Sequence, residues 1–170
     1  TARLLTEQEE PRRSTLFVAV TAEEKGLVGS EYFAMNPTVP TSSMVAVINL
    51  DMPVLLYDFG DVIAFGAEHS TLHDAVQTAA DEAGIGLTPD PFPEQNIFVR
   101  SDHYRFVQQG VPAIFLVTGT HSRDGTTDTK LIYEAFLHDQ YHRPGDDLNL
   151  AIDYGAAARF TRINTRIGEV

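Results

Sequence analysis

The chain contains no cysteine, which removes a disulfide scaffold, a thiolate nucleophile, cysteine-ligated metals and iron–sulfur clusters in one step. Any metal would have to be held by His, Asp or Glu. Basic residues are scarce: 12 Lys and Arg stand against 24 Asp and Glu, a formal charge of −12. Such a chain repels phosphate backbones and anionic headgroups, so nucleic acid is not an expected partner. No apolar run approaches the roughly 18 to 20 residues that cross a bilayer; stretches such as 16–20 and 113–117 are the longest, and membrane insertion is not expected. Residues 1–10 also lack the charged start and apolar core of a signal peptide. What is present is 170 residues with 43% hydrophobic content, enough for a single domain that buries roughly 70% of its unfolded surface. No internal repeat and no second domain is visible.

The opening residues read as a helix tail running into the charged, proline-containing stretch 7–13. Next, 14–21 (STLFVAVT) is an apolar, β-branched run without alternation, the pattern of a strand buried on both faces. A helix is predicted over 26–35, ending before Asn36-Pro37, and a second buried strand over 44–50 (MVAVINL), with Asp51 at its carboxyl end. Further strands are expected at 61–66 and 111–117, and helices at 71–83, 102–109, 131–138 and 149–167. The proline-rich 88–94 and the polar 118–130 read as loops. Strands alternating with helices argue for a three-layer α/β/α domain with a mostly parallel central sheet, in which ligands bind at the carboxyl ends of the strands.

Three acidic or imidazole groups fall at such ends or at helix starts: Glu23-Glu24, Asp51, and His142 followed by Asp146-Asp147. A hydrolytic metal centre needs carboxylate and imidazole ligands gathered from several loops, with one more carboxylate free to take a proton from water. An adjacent Glu pair can divide those roles, because successive side chains leaving a strand point in different directions. Each group also has a purely structural reading: acidic side chains favour a helix start, Asp51 can cap a turn, and His142 can be a surface or packed histidine.

The segments TAEEKGLVGSEYF, INLDM, RSDHYRFVQQGVPAIFL and YHRPGDD, in this order and at these separations, resemble the co-catalytic zinc aminopeptidases grouped as metallopeptidase family twenty-eight. The resemblance spans nearly the whole chain. It implies a zinc-peptidase fold and metal-assisted hydrolysis of peptide bonds, with Glu23 as general base. It implies Glu24 and His142 as ligands of one zinc, Asp51 as a ligand of the other, and the Tyr141 hydroxyl as a stabiliser of the oxyanion. Arg100, Ser101, Asp102 and His103 match the segment lining the substrate cleft, although Ser101 or Asp102 could equally cap the next helix and Tyr141 could be a packed aromatic. Asp146 and Asp147 would hold the His142 loop or its imidazole N–H. A peptide is the implied substrate, and a periplasmic or secreted location the implied compartment.

The chain departs from the family pattern in one respect. The His-x-Asp motif and the Asp-Asn or Asp-Asp motif, which supply the first histidine ligand and the bridging aspartate, are absent upstream of the first predicted strand. The chain is therefore expected to be a truncated catalytic domain lacking the amino-terminal strands. Without a shared anion two dications repel, so one zinc or none is expected in place of two, held by Glu24 and His142 with or without Asp51. Activity of the chain alone is expected to be impaired, and a homodimer could form through the exposed sheet edge. Two rival readings are a non-catalytic peptidase-like binding or dimerisation domain and a glutaminyl-cyclase-like acyl transferase using one zinc on an Asp, a Glu and a His.

Overall fold

The computed structural model describes residues 1–7 and 12–170, so part of the charged stretch 7–13 lies outside the described residues. A short helix α1 (Ala2–Thr6) opens the chain. The run 14–21, predicted as a buried strand, is not one: it joins no ladder among the described residues and all its side chains but the half-buried Val20 lie open, with Leu16, Phe17 and Val18 at 53%, 50% and 42% exposure. A strand requires a partner for its N–H and C=O groups, and among the described residues no backbone hydrogen bond engages 14–20. The apolar pattern registers a preference for burial that these residues do not satisfy.

A 3-10 turn at Glu23–Lys25 leads into α2 (Val28–Met35). β1 (Val47–Asn49) is shorter than its sequence suggests. β2 (Asp61–Phe65), α3 (Leu72–Ala83), the two-residue β3 (Gly86–Leu87), α4 (His103–Val107), β4 (Ala113–Thr118), α5 (Thr129–Asp139) and α6 (Tyr154–Glu169) follow. The strand β3 carries no apolar pattern of its own; Asp61 and Val62 of β2 pair with it. α3 stops where Gly84 turns left-handed, as its sequence predicts. α6 starts at Tyr154 because the Asp153 carboxylate accepts from the Ala156 N–H, capping the helix there and not at Asn149.

The sheet order is β1-β4-β2-β3. Both outer pairs, β1 with β4 and β2 with β3, are parallel, while the central β2 and β4 run antiparallel. Alternate residues of these two central strands enter different cores. Val62, Ala64, Ile114 and Leu116 join a large cluster with Val76 and Ala80 of α3, Phe136 of α5, and Phe160, Ile163 and Ile167 of α6. Ile63, Phe65, Phe115 and Val117 form the opposite core with Ile97 and Phe98, beside which Ala34 of α2 and Phe106 of α4 pack on Val111. The result is three layers. Covering both faces explains why AIFLVT reads as an unbroken apolar run.

Candidate active site

Three segments converge on the acidic and imidazole groups, and the backbone is unusual at each. Ala22, immediately before Glu23, has φ 59°; Met52, immediately after Asp51, has φ 29°; His142 itself has φ 57°. Left-handed conformations in residues bearing a Cβ cost on the order of 1–3 kcal/mol each and persist where the surroundings enforce them. Only two further non-glycine residues, Leu27 and Asn96, share the feature among the described residues, so the strain concentrates at the sequence-predicted site.

The Glu23-Glu24 turn is held from two sides. The Gly29 N–H donates to the Thr21 carbonyl at 2.9 Å, an approach so close that a Cβ at Gly29 would run into the Thr21 backbone. From α4, Arg105 Nη2 donates to the Gly26 carbonyl at 2.9 Å and lies 3.4 Å from Glu31 Oε2. In this setting Glu24 Oε1 meets His142 Nε2 at 2.6 Å, with both side chains open to solvent over more than half their surface. The Tyr141 ring stacks on the His142 ring, centroids 3.7 Å apart, and its other neighbour is Phe136 of α5.

Asp51 is positioned by a relay that the sequence does not announce. Ser101 Oγ donates to Asp51 Oδ2 at 2.7 Å, and Asn49 Nδ2 donates to Ser101 Oγ, also at 2.7 Å. Because Oγ accepts from Asn49, its one proton is committed to Asp51. The available signal was the i, i+2 spacing of Asn49 and Asp51, which puts both on one side of a strand end.

The segment Arg100 to His103, expected to line the cleft, is unevenly exposed. Ser101 is 3% exposed and His103 fully buried, so neither faces open solvent; Arg100 is exposed and Asp102 half-buried. Neither Ser101 nor Asp102 caps α4 through its side chain: Ser101 is engaged with Asp51, and Asp102 Oδ1 is buried without a hydrogen-bond partner. Asp147 accepts from the backbone and side-chain N–H groups of Asn149 at 2.7 and 3.1 Å, which orders its own turn.

Burial raises the Glu23 carboxyl above its usual range, and the charges of Asp51, Glu24 and Asp102 raise it further, against a smaller opposing pull from His142. A carboxylate so placed holds a proton more readily, as a general base must. Burial, followed by the Glu24 charge, also raises Tyr141, keeping its hydroxyl protonated as a donor. Glu24 and His142 provide an oxygen and a nitrogen donor facing one another, the donor chemistry a zinc ion takes. Among the described residues, no three His, Asp or Glu side chains are grouped closely enough to hold a metal ion, so Asp51 does not complete a set with that pair.

Comparison with solved structures places the chain among similar folds. It is similar to an aminopeptidase from Aneurinibacillus sp. strain AM-1 (22% identity, TM-score 0.60, 87% of this chain and 31% of that one). It is similar also to the Legionella pneumophila LapA aminopeptidase (18% identity, TM-score 0.67, 97% of this chain and 40% of that one). A glutaminyl cyclase from Porphyromonas gingivalis matches at 19% identity and TM-score 0.55, over 89% of this chain and 51% of that one. The chain thus spans about a third to a half of the length of these proteins. No curated protein sequence matches it significantly. The sequence model of peptidase family M28 matches residues 1–167: the chain belongs to that family.

Proposed function

We propose that the chain contributes the general base and three metal ligands of a zinc-dependent peptidase centre, most simply that of an aminopeptidase. The observation that carries this reading is the direct 2.6 Å contact between Glu24 and His142, with Glu23 beside it under the repulsion of Asp51 and Glu24. Glu24 and His142 would hold one zinc and Asp51 would belong to a second. The chemistry that zinc supplies when bound is polarisation of the scissile carbonyl and acidification of the attacking water.

The chain's own residues account for the remaining roles. Glu23 accepts the proton of the attacking water and returns it to the leaving amine. Tyr141, kept protonated, donates from its hydroxyl to the oxyanion of the tetrahedral intermediate. Ser101 and Asn49 fix Asp51 so that one carboxylate oxygen stays free of the relay. The concentration of carboxylates at Glu23, Glu24 and Asp51 suits the ammonium group of a peptide N-terminus, which would restrict cleavage to chain ends. A periplasmic or secreted location belongs to the same proposal and rests on the family resemblance.

The test combines zinc content after dialysis with turnover of aminoacyl-nitroanilides, for this chain and for a version extended upstream. The extended protein is expected to bind about two zinc ions and turn over, and the chain alone to bind one or none. Glu23→Gln in the active form should lower kcat by about 100-fold to 10,000-fold with zinc content unchanged; unchanged kcat would remove Glu23 from the chemistry. The glutaminyl-cyclase-like reading is kept because of the similarity in fold to that enzyme, and release of ammonia from an N-terminal glutamine peptide, without release of a free amino acid, would favour it.

A further inference from the structure

Four of the ten arginines of this acidic chain line one groove. Arg159, Arg162 and Arg166 recur along α6 at i, i+3 and i+7, one face of the helix, and Arg123 reaches the same groove from the loop after β4. Ala79 and Ala83 of α3, with Ile163 of α6, supply small or apolar walls, Glu82 is the one acidic residue in the lining, and the groove encloses about 390 Å³.

Two of the four arginines are held by acidic side chains, and the other two form no ion pair among the described residues. Arg166 forks onto Glu82 with bonds of 2.7 and 2.9 Å. Arg159 is ion-paired with Asp58 and its guanidinium lies over the Phe59 ring, 4.8 Å from the centroid. The Arg123 N–H donates to the Asp58 carbonyl at 3.0 Å, tying the loop to the same anchor. The Arg123 and Arg162 side chains are exposed and form no ion pair among the described residues. Arg159 Nε is buried without a partner, and the Arg162 charge, after burial, adds to the lowering of the Arg159 pKa. Two tethered guanidinium groups thus share the groove with two that form no ion pair among the described residues, in a chain whose overall charge would otherwise be expected to attract cations.

We propose that this groove is a binding site for a small multivalent oxyanion carrying phosphate or carboxylate groups, contacted by the planar forks of Arg123 and Arg162, with the tethered Arg159 and Arg166 bordering it. Guanidinium forks match both oxyanions in bidentate geometry, and a groove of this volume admits a small molecule. The site uses none of the residues assigned to peptide hydrolysis, so it stands or falls independently of that assignment.

The test is titration of the chain with pyrophosphate and, separately, with citrate, followed by amide chemical shifts and by calorimetry at low ionic strength. Arg123→Gln/Arg162→Gln is the disabling variant and Arg13→Gln the charge control; none of these side chains takes part in an ion pair among the described residues, and thermal melts verify folding. Saturable binding of either probe, weakened about tenfold or more by the double variant and unchanged by the control, is the expected result. The tighter of the two probes then identifies the preferred oxyanion. Absence of saturation by either probe below about 5 mM, or equal binding by the double variant, would overturn the proposal.

Discussion

His103 lies between Phe98 and Phe115, ring centroids 5.3 and 5.5 Å away, fully buried and with neither ring nitrogen in a well-formed hydrogen bond. Burial pushes its pKa down to about 4, against the smaller opposing pulls of the Phe98 carbonyl and the Asp51 charge. The folded state therefore keeps the ring neutral, whereas the unfolded chain takes up a proton near pH 6.5. Stability is expected to fall as pH drops from about 6.5 to about 4, where the whole penalty, on the order of 3 kcal/mol, is in force. His103→Phe, which keeps an aromatic ring in an aromatic slot, should flatten that limb in urea denaturation measured at several pH values; an unchanged slope would mean that carboxylates alone set the acid limit. The residue type was legible in the Ser-Asp-His-Tyr motif, but its burial was not, because the sequence does not tell which side of a five-residue helix meets the sheet.

The long helices α3 and α6 pack on the sheet as their apolar spacing predicts, and their boundaries follow from chemistry local to the chain: Gly84 ends one and Asp153 starts the other. Phe160 shows what this packing contributes. It is 5% exposed and meets Phe59 edge-on with centroids 6.2 Å apart, in the cluster that also holds Ile114 and Leu116 of β4. Phe160→Ala should lower unfolding free energy by about 3–5 kcal/mol, read from denaturant midpoints at an unchanged m-value. A loss below about 1 kcal/mol would mean that the helix contributes little to the core. The site elements were less legible than these helices. The Glu23-Glu24 turn depends on Ala22, Gly26 and Leu27 at positive φ, which the residue identities at 22 and 27 do not announce, and the Ser101 relay joins residues about fifty positions apart.

At the scale of the molecule, the main discrepancy is the segment 14–20. Its side chains from 14 to 19 are exposed, its backbone has no hydrogen-bond partner among the described residues, and β1 lies at the edge of the sheet with Val45 and Leu50 beside it in sequence exposed at 53% and 52%. An apolar segment with no backbone partner among the described residues and an open sheet edge favour pairing with another molecule. The chain is expected to self-associate in a concentration-dependent way by sedimentation velocity, and Leu16→Lys/Val18→Lys to shift it toward monomer. A wild-type chain that stays monomeric at about 100 µM would show that the −12 charge outweighs the apolar edge. No helix among the described residues is long and apolar enough to cross a membrane.

The sequence by itself determined which residue types could do chemistry and which helices could form, because propensity, capping and apolar period are local properties. It also marked β2 and β4 as candidates for burial by their apolar runs, but the equally apolar 16–19 stays open, so the run alone did not settle burial. Only the tertiary structure decided that β2 and β4 run antiparallel, that 14–21 is not a strand here, and that Glu24 and His142 meet while Asp51 is held by Ser101. Those results depend on which distant segments are available as partners, and a hydrogen-bond ladder or a side-chain relay exists only when both partners are in place.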